Sequence, residues 1–499
     1  MSLNYKIENC DQVTESSLYE TFSSNPTFFY LDSKQTTGES DSWSFMGVDP
    51  IFSVESKNNE VCITSSFFKI GAFSLNVDTS VKEVIDKSLV DLKINDQSQI
   101  PFLGGWICAL SYEWLCKTSQ GGIFKESLSN QSPETECFFS FYNEIYAINK
   151  NESSIYRITI EREAIVRWVN KQIETQYKRE GIQGNNFIDT DGQRNSLISK
   201  LNSSTASETH NDNTTQSGST KDAFNKESLR SNFSKPDYVE RVKNVKSRIK
   251  EGDIYQANFT QKFSAEINGN LEDVYPSIRE KLEMPFGALI KYGDETILST
   301  SPERFIKIDG LTILTSPIKG TIKSDIEKKK DDKNRAELIS SKKNRAELLM
   351  ITDLERNDLG QVCKMGTVHV TKLIQLESFA YLHHLVSHIK GTLKEDLTIM
   401  DVILSMSPGG SITGAPKKKA IEILSQLETC PRRWYTGSLG YIGLNKKCEL
   451  NIGIRIMYTK NGVAFFHAGG GVVSDSEPEL EWEESMLKAS VFLDLINDA

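Results

Sequence analysis

An α+β fold built on antiparallel strands is what this chain of 499 residues predicts, and three observations lead there. Residues 1–168 alternate short β-like runs such as SSIYRITI with turns. The segment SPERFIKIDGLTILTSPIKG holds two β-like runs joined at Asp309-Gly310, a strong two-residue hairpin signal. Later segments carry apolar residues at helical rather than alternating spacing. The length allows one large intertwined unit or two to three domains.

Along the chain, 1–168 forms a strand-rich N-terminal region in which Gly104 and Gly105 permit close backbone approach. Residues 181–233 read as a low-complexity linker or surface insertion. Between Ser203 and Ser219 the only apolar side chain is Ala206, too little to offset the entropy of ordering. Order resumes with a helix in which Tyr238, Val242, Val245 and Ile249 share a stripe, Ser234 is the N-cap, Pro236 sits in the first turn and Gly252 ends it. A strand, DIYQANFTQKF, follows, and a second, larger domain spans 234–499.

Lys and Arg number 58 against 68 Asp and Glu, a net charge of −10 that argues against nucleic acid as a partner. No apolar run approaches the roughly 20 residues of a membrane helix, and the polar start MSLNYKIENC lacks a leader, so the expected compartment is the cytoplasm. The eight cysteines form no C-x-x-C pair and read as reduced packing residues. None lies in the Gly-x-Cys-x-Gly elbow of a glutaminase.

Carboxylates on helical apolar faces carry the first chemical signal. Glu347 is in register with Met350, Ile351 and Leu354; in the C-terminal helix Glu484 follows Leu480 at i+4 on a stripe continued by Leu487, Val491 and Leu495, with Glu481 one turn earlier. A glutamate on such a stripe is costly unless a cation meets it. One reading pairs Glu484 with Lys488 and Glu347 with Lys343 or a distant arginine. The other supplies a shared cation, and all-oxygen ligands without a His or Cys cluster favour Mg²⁺.

Two glycine segments offer anion sites. In SPGGSITGAPKKKAIEIL, Gly409, Gly410, Thr413 and Gly414 precede a helix with Pro416 in its first turn. In FFHAGGGVVSDS, Gly469, Gly470 and Gly471 read as a flexible turn at a strand end, and Arg455 lies in an alternating strand, with a guanidinium suited to a carboxylate. If the 309–310 hairpin folds about that turn, Glu303 faces position 316 and Lys319 faces position 300, which brings acid and amine together. Lys319 is then either a solvated turn lysine or a nucleophile whose pKa a dry pocket lowers.

Jointly the blocks GDIYQANFTQKF, SPERF, PIKGT, NRAELLMITDLERNDLG, HHLVS, PGGSITGAPK, IRI, and AGGGVVSDS followed by EWEES resemble the chorismate-utilising enzyme family, in particular its aminodeoxychorismate synthase component I branch. The likeness is dense from about residue 235 to 490 and looser before it, where YLDS, GVDP and GGW carry it. It implies the anthranilate synthase component I-like fold, with large antiparallel sheets packed face to face and helices outside. It implies Mg²⁺ on the ring carboxylate of chorismate, held by Glu347, Glu481 and Glu484, and Glu303 as general acid on the departing C4 hydroxyl. His384, Tyr435 and Arg455 would line the site, the last two and Gly469–Gly471 holding the enolpyruvyl carboxylate.

Lys319 of PIKGT separates the siblings, since anthranilate synthases typically carry alanine there. With lysine, the resemblance implies attack of its amine at C2, then addition of ammonia at C4 to give 4-amino-4-deoxychorismate, toward p-aminobenzoate and folate. A separate glutamine amidotransferase subunit would supply the ammonia. Some relatives bind tryptophan near an N-terminal serine, here Ser33, and near MPFGA. The alternatives are anthranilate synthase component I and a catalytically silent, amino-acid-binding regulatory subunit.

Overall fold

The computed structural model describes residues 1–33, 42–57, 60–64, 75–119, 135–179, 223–282, 285–378 and 382–498. Among these residues the β-like runs pair into two antiparallel sheets of twelve strands each, plus a small parallel pair. In the first sheet Phe224–Ser231, Gln256–Ile267, Val463–Val472, Ile456–Lys460 and Glu295–Ser301 are successive neighbours. In the second, Ile318–Lys323 flanks Leu382–Thr392, followed by Thr312–Ser316, Arg304–Asp309 and Lys447–Asn451. The sheets face each other across aromatic contacts: Phe138 stacks on Tyr292 with centroids 4.1 Å apart, and Phe45 meets the edge of Tyr441 at 5.6 Å. The expected α+β class, with antiparallel sheets and peripheral helices, is what the fold shows.

Two compact units result, one of residues 1–160 with 220–499 and one of 161–219, whose described part is the helix Arg162–Arg179. The boundaries at 168 and 234 mark where the sequence changes character, but strands from both sides share both sheets. The linker of 181–233 ends earlier than its composition suggests. Residues 181–222 lie outside the described residues, while Phe224–Ser231 pairs with Gln256–Ile267 and buries Phe224. No helix among the described residues is long and apolar enough to cross a membrane.

The helix Lys235–Lys250 begins where its cap predicts: Ser234 and Asp237 form a reciprocal capping box, and Gly252 follows with φ +85°. Its buried Tyr238 meets Trp482 of the C-terminal helix Pro478–Asp498, with ring centroids 5.4 Å apart. That helix uses the stripe read from sequence only in part: Leu495 is buried and Val491 packs on the core, but Leu480 and Leu487 are exposed, and the rest of the buried face is Glu481, Ser485, Ala489, Phe492 and Ile496. The reason is its substrate of packing: at this end it lies over polar groups, Ser485 Oγ accepting from Gln261 Nε2 at 2.8 Å and Lys488 Nζ donating to Gly469 O at 3.1 Å. Small and polar residues fit that surface better than leucine does.

Two further expectations change. The hairpin turn is Gly310-Leu311, with Asp309 opposite Thr312, so the register shifts by two residues; Lys319 then leaves the hairpin and pairs opposite Leu385 in Leu382–Thr392. Gly469, Gly470 and Gly471 are not a turn. They lie inside Val463–Val472, opposite Thr260, Phe259 and Asn258. A Cβ at Gly469 would run into the Phe259 carbonyl oxygen and stand 2.8 Å from Thr260 Cα. Gly469→Ala is therefore expected to destabilise the chain by more than about 2 kcal/mol, read as a lowered urea midpoint.

Candidate active site

The glycine run creates the space that the site uses. A methyl group at Gly470 would lie 3.1 Å from Glu481 Oε2 and 3.6 Å from Glu484 Oε1, and one at Gly471 would lie 2.7 Å from Gln256 Nε2 and 3.6 Å from Lys319 Nζ. The first sheet thus supplies a bare patch, the C-terminal helix two carboxylates, and the edge of the second sheet an amine. Lys319 is half-buried. Desolvation holds its ammonium below the usual lysine range, Lys488 adding to the effect and Glu347, Glu303 and Glu484 opposing it. A solvated turn lysine would have none of these neighbours.

Glu303 is 3% exposed, its backbone carbonyl accepts from Ile452 N at 3.0 Å, and its Oε1 has no hydrogen-bond partner. Burial pushes this carboxyl up to about 7, against the pull of the Ser411 hydroxyl and the Lys319 charge. A much larger share of this carboxyl is therefore protonated near neutrality than of an exposed glutamate, as a proton donor to a leaving group requires.

The helix Lys342–Val362, capped by Ser341, turns Leu348, Ile351, Glu355, Asp358, Leu359 and Val362 inward and leaves Glu347 at the edge of that face. Glu347 is joined to Lys343 at 4.0 Å and Glu484 to Lys488 at 2.8 Å, the two pairings that need no metal. Lys343 also reaches Glu481 Oε1 at 3.6 Å, so one cation already spans two helices. Glu347 Oε1 and Glu481 Oε2 remain buried without hydrogen bonds. Among the described residues no three acidic, His or Cys side chains are grouped tightly enough to hold a metal as they stand; the two orphaned oxygens are the donors suited to a hard cation.

Arg455 lies outside the strand expected for it, in the link between Lys447–Asn451 and Ile456–Lys460, with φ +56°. Its carbonyl is fixed by Thr300, accepting from the amide at 2.9 Å and from Oγ1 at 3.2 Å. Among the described residues no carboxylate pairs with its guanidinium, whose pKa burial lowers. His384, in register with Thr321, shares a 2.8 Å hydrogen bond between Nδ1 and Thr321 Oγ1. Burial, with Arg455 adding its charge, takes His384 down to about 3, so the ring is neutral. The Tyr435 ring stacks on His467 at 5.3 Å, and burial pushes its hydroxyl up to about 12.

The 409–414 loop is not an open anion cradle. Gly410 N already donates to Glu355 Oε1 at 3.1 Å, Thr413 Oγ1 donates to Gly409 O at 3.0 Å, and Gly414 pairs with Ala257 in the first sheet. An internal carboxylate has taken the place foreseen for a ligand. Ser33 lies apart from Lys319, its N–H donating to Ser44 Oγ at 3.0 Å, and lines a pocket with Phe45, Pro285, Phe286 and Tyr441. The sequence reading missed Gln256, whose amide is buried with neither end hydrogen-bonded, and Glu355 and Ser411. Glu355 was open to detection, eight residues from Glu347 on one helical face.

A profile of the chorismate binding enzyme family matches residues 26–494. The chain belongs to that family. It is 30% identical over 475 residues to anthranilate synthase component 1 of Bacillus subtilis (strain 168), covering 94% of this chain and 87% of the relative. It is 40% identical over 263 residues to aminodeoxychorismate synthase component 1 of Escherichia coli (strain K12), covering 53% and 58%. The solved structure of anthranilate synthase component I from Streptococcus pneumoniae TIGR4 superposes with a TM-score of 0.68 at 25% identity, covering 92% of this chain and 93% of that one.

The site makes a pH prediction. The folded pKa of Glu303 is raised from 4.5 to about 7, so its contribution to stability is full below the unfolded value and is lost as pH rises through 7. Glu303→Gln should match the wild type near pH 5 and exceed it at pH 8 by on the order of 2–3 kcal/mol, measured by urea unfolding at both pH values.

Proposed function

We propose that this chain aminates chorismate, giving 4-amino-4-deoxychorismate with ammonia as the nitrogen source. The observation that carries the reading is Lys319: an amine whose pKa desolvation lowers, close enough to the buried Glu303 carboxyl, itself raised to about 7, for their charges to interact. In this mechanism the Lys319 amine forms a bond to C2, the ring double bond shifts, and the C4–O bond breaks with its electron pair. The hydroxyl leaves as water with the proton of Glu303. Ammonia then bonds to C4, the double bond shifts back, and the C2–N bond to Lys319 breaks, restoring the amine.

Arg455, with Tyr435 beside it, would hold a substrate carboxylate, since a buried guanidinium without a carboxylate partner favours an anion. Glu347, Glu481 and Glu484 would hold Mg²⁺, which when bound neutralises a second substrate carboxylate; Lys343 would yield its place. The buried thiols of Cys108, Cys116 and Cys448 are pushed upward by desolvation, the opposite of an activated thiolate, so we assign ammonia release to a separate glutamine amidotransferase. The Ser33 pocket, with Pro285–Ala288 of MPFGA in its wall, would take tryptophan or another amino acid.

Similarity over the whole chain supports a second reading, anthranilate synthase component I, in which ammonia attacks C2 and the product is 2-aminated. The aminodeoxychorismate synthases match a shorter stretch at higher identity, 40% and 39% over 263 residues for two of them. The product decides. With chorismate, ammonium and Mg²⁺ the first reading expects the 4-amino product, identified by mass and by conversion to p-aminobenzoate with a lyase; fluorescent anthranilate as the main product would select the second. Lys319→Ala should lower 4-amino product formation by about a thousandfold, roughly 4 kcal/mol of barrier, and release trace 2-amino product at high ammonium. Near wild-type turnover by that variant would return Lys319 to a structural role. Glu481→Gln should raise the Mg²⁺ concentration needed for half-maximal rate at least about tenfold, the fold intact by circular dichroism.

A further inference from the structure

The carboxylates assigned to Mg²⁺ already have a cation beside them, and it stands where local rules disfavour one. Lys343 lies in the first turn of Lys342–Val362, a turn with no acidic residue, so its ammonium sits at the positive end of that helix. Acidic side chains, not basic ones, stabilise such an end. Its two ion pairs among the described residues account for the exception: Glu347 Oε1 at 4.0 Å on the same helix, and Glu481 Oε1 at 3.6 Å on Pro478–Asp498. The Glu484 charge reaches it as well. Without a positive charge at this point the two helices would bring like charges together in a partly buried setting, which is costly.

Both pairs are longer than a hydrogen bond of about 2.7–3.2 Å, and the oxygens suited to a metal are left over. Glu347 Oε1 and Glu481 Oε2 are buried without a hydrogen bond, while Glu481 Oε1 also accepts from Ser476 Oγ at 2.6 Å. Glu481 Oε2 is turned to the bare strand, where a Cβ on Gly470 would lie 3.1 Å from it. Lys343 therefore neutralises charge without satisfying these oxygens, and its side chain is 53% exposed, with room to swing outward. Lys488 differs. It is fixed between Glu484 Oε1 at 2.8 Å and Gly469 O at 3.1 Å, and belongs to the frame of the site.

We propose that Lys343 is a tethered counter-ion that competes with Mg²⁺ for Glu347 and Glu481: the ammonium joins the two helices in the metal-free chain, and a divalent ion binds only by displacing it. This rests on the Mg²⁺ reading of those carboxylates. An ammonium and a divalent ion cannot both lie against the same two carboxylates, because their charges repel at that range. Displacement costs the chain two ion pairs, and that cost is subtracted from metal affinity. The free chain therefore holds Mg²⁺ weakly, and a substrate carboxylate, which brings another oxygen ligand and a negative charge, tips the exchange toward the metal.

The test is calorimetric titration of MgCl₂ into the whole chain without substrate, at about 0.15 M salt, where exposed charges more than about 8 Å apart are largely screened. Lys343→Met keeps the apolar stem and removes the ammonium; it should bind Mg²⁺ about five- to tenfold more tightly than the wild type. Lys342→Met removes the same charge one residue away and should change Kd by less than about twofold, which separates competition from a general field. Lys343→Arg, still able to pair with both carboxylates, should stay within about twofold of the wild type. Urea unfolding gives a second readout: Lys343→Met should have the lower midpoint without Mg²⁺, and the two midpoints should converge at saturating Mg²⁺, where the lysine no longer contributes. Binding by Lys343→Met no tighter than that of the wild type or of Lys342→Met, or midpoints that stay apart at saturating Mg²⁺, would overturn the proposal and leave the metal reading standing. Absence of Mg²⁺ binding by every one of these chains would overturn both.

Discussion

The site exists because three successive residues in the middle of a sheet have no side chains. At Gly469–Gly471 the first sheet presents bare backbone, and the C-terminal helix comes down onto it, pinned by Lys488 on Gly469 O and by Ser485 on Gln261. Ordinary strand residues here would hold that helix off by the thickness of a side chain. The bare patch instead admits Glu481, Glu484 and the end of Lys319 from the opposing sheet. Sheet packing, helix placement and the meeting of charges are therefore one constraint. It also explains why the helix turns a polar edge inward at its N-terminal end and an apolar one, Ala489, Phe492 and Ile496, further along, where the strand again carries Phe466.

Much of the fold was legible because it follows from local rules. Ser234 as a cap, Gly252 as a stop and the strand after it need only the chain's own backbone preferences. That Glu347 and Glu481 need a cation was legible too, since a carboxylate on an inward face must meet something, and Lys343 is what meets both. What failed were inferences about register and direction. A two-residue slip in the 309–312 turn moved every cross-strand neighbour, and nothing in the sequence says that Lys319 leaves its hairpin for Leu382–Thr392. The glycine run reads as a turn because turns are where glycine is common; that it serves a close approach depends on a helix that arrives in sequence after it.

The halves of the chain divide the labour. Among the described residues the side chains near the amine, from Gln256 to Lys488, belong to the later half, while the earlier half contributes strands to both sheets and part of the wall around Ser33. The constraint on the first set is chemical and fixes residue identity. On the second it is mainly packing, which tolerates exchange of apolar side chains of similar volume. A dense run of motifs in one half and a loose one in the other is what that division produces, although strands of both halves share both sheets.

Burial also sets the protonation states that the chemistry needs. Two opposite charges in a dry pocket attract, but each loses its hydration, and unless further hydrogen bonds replace the lost water the neutral pair is favoured. Glu303 lacks such bonds at Oε1, and Lys319 is lowered despite three carboxylates nearby. In the proposed reaction acid and amine would then face the substrate as a proton donor and a free nucleophile, the combination that an exposed Glu–Lys pair at neutral pH would invert. Burial selects this state by withholding solvent.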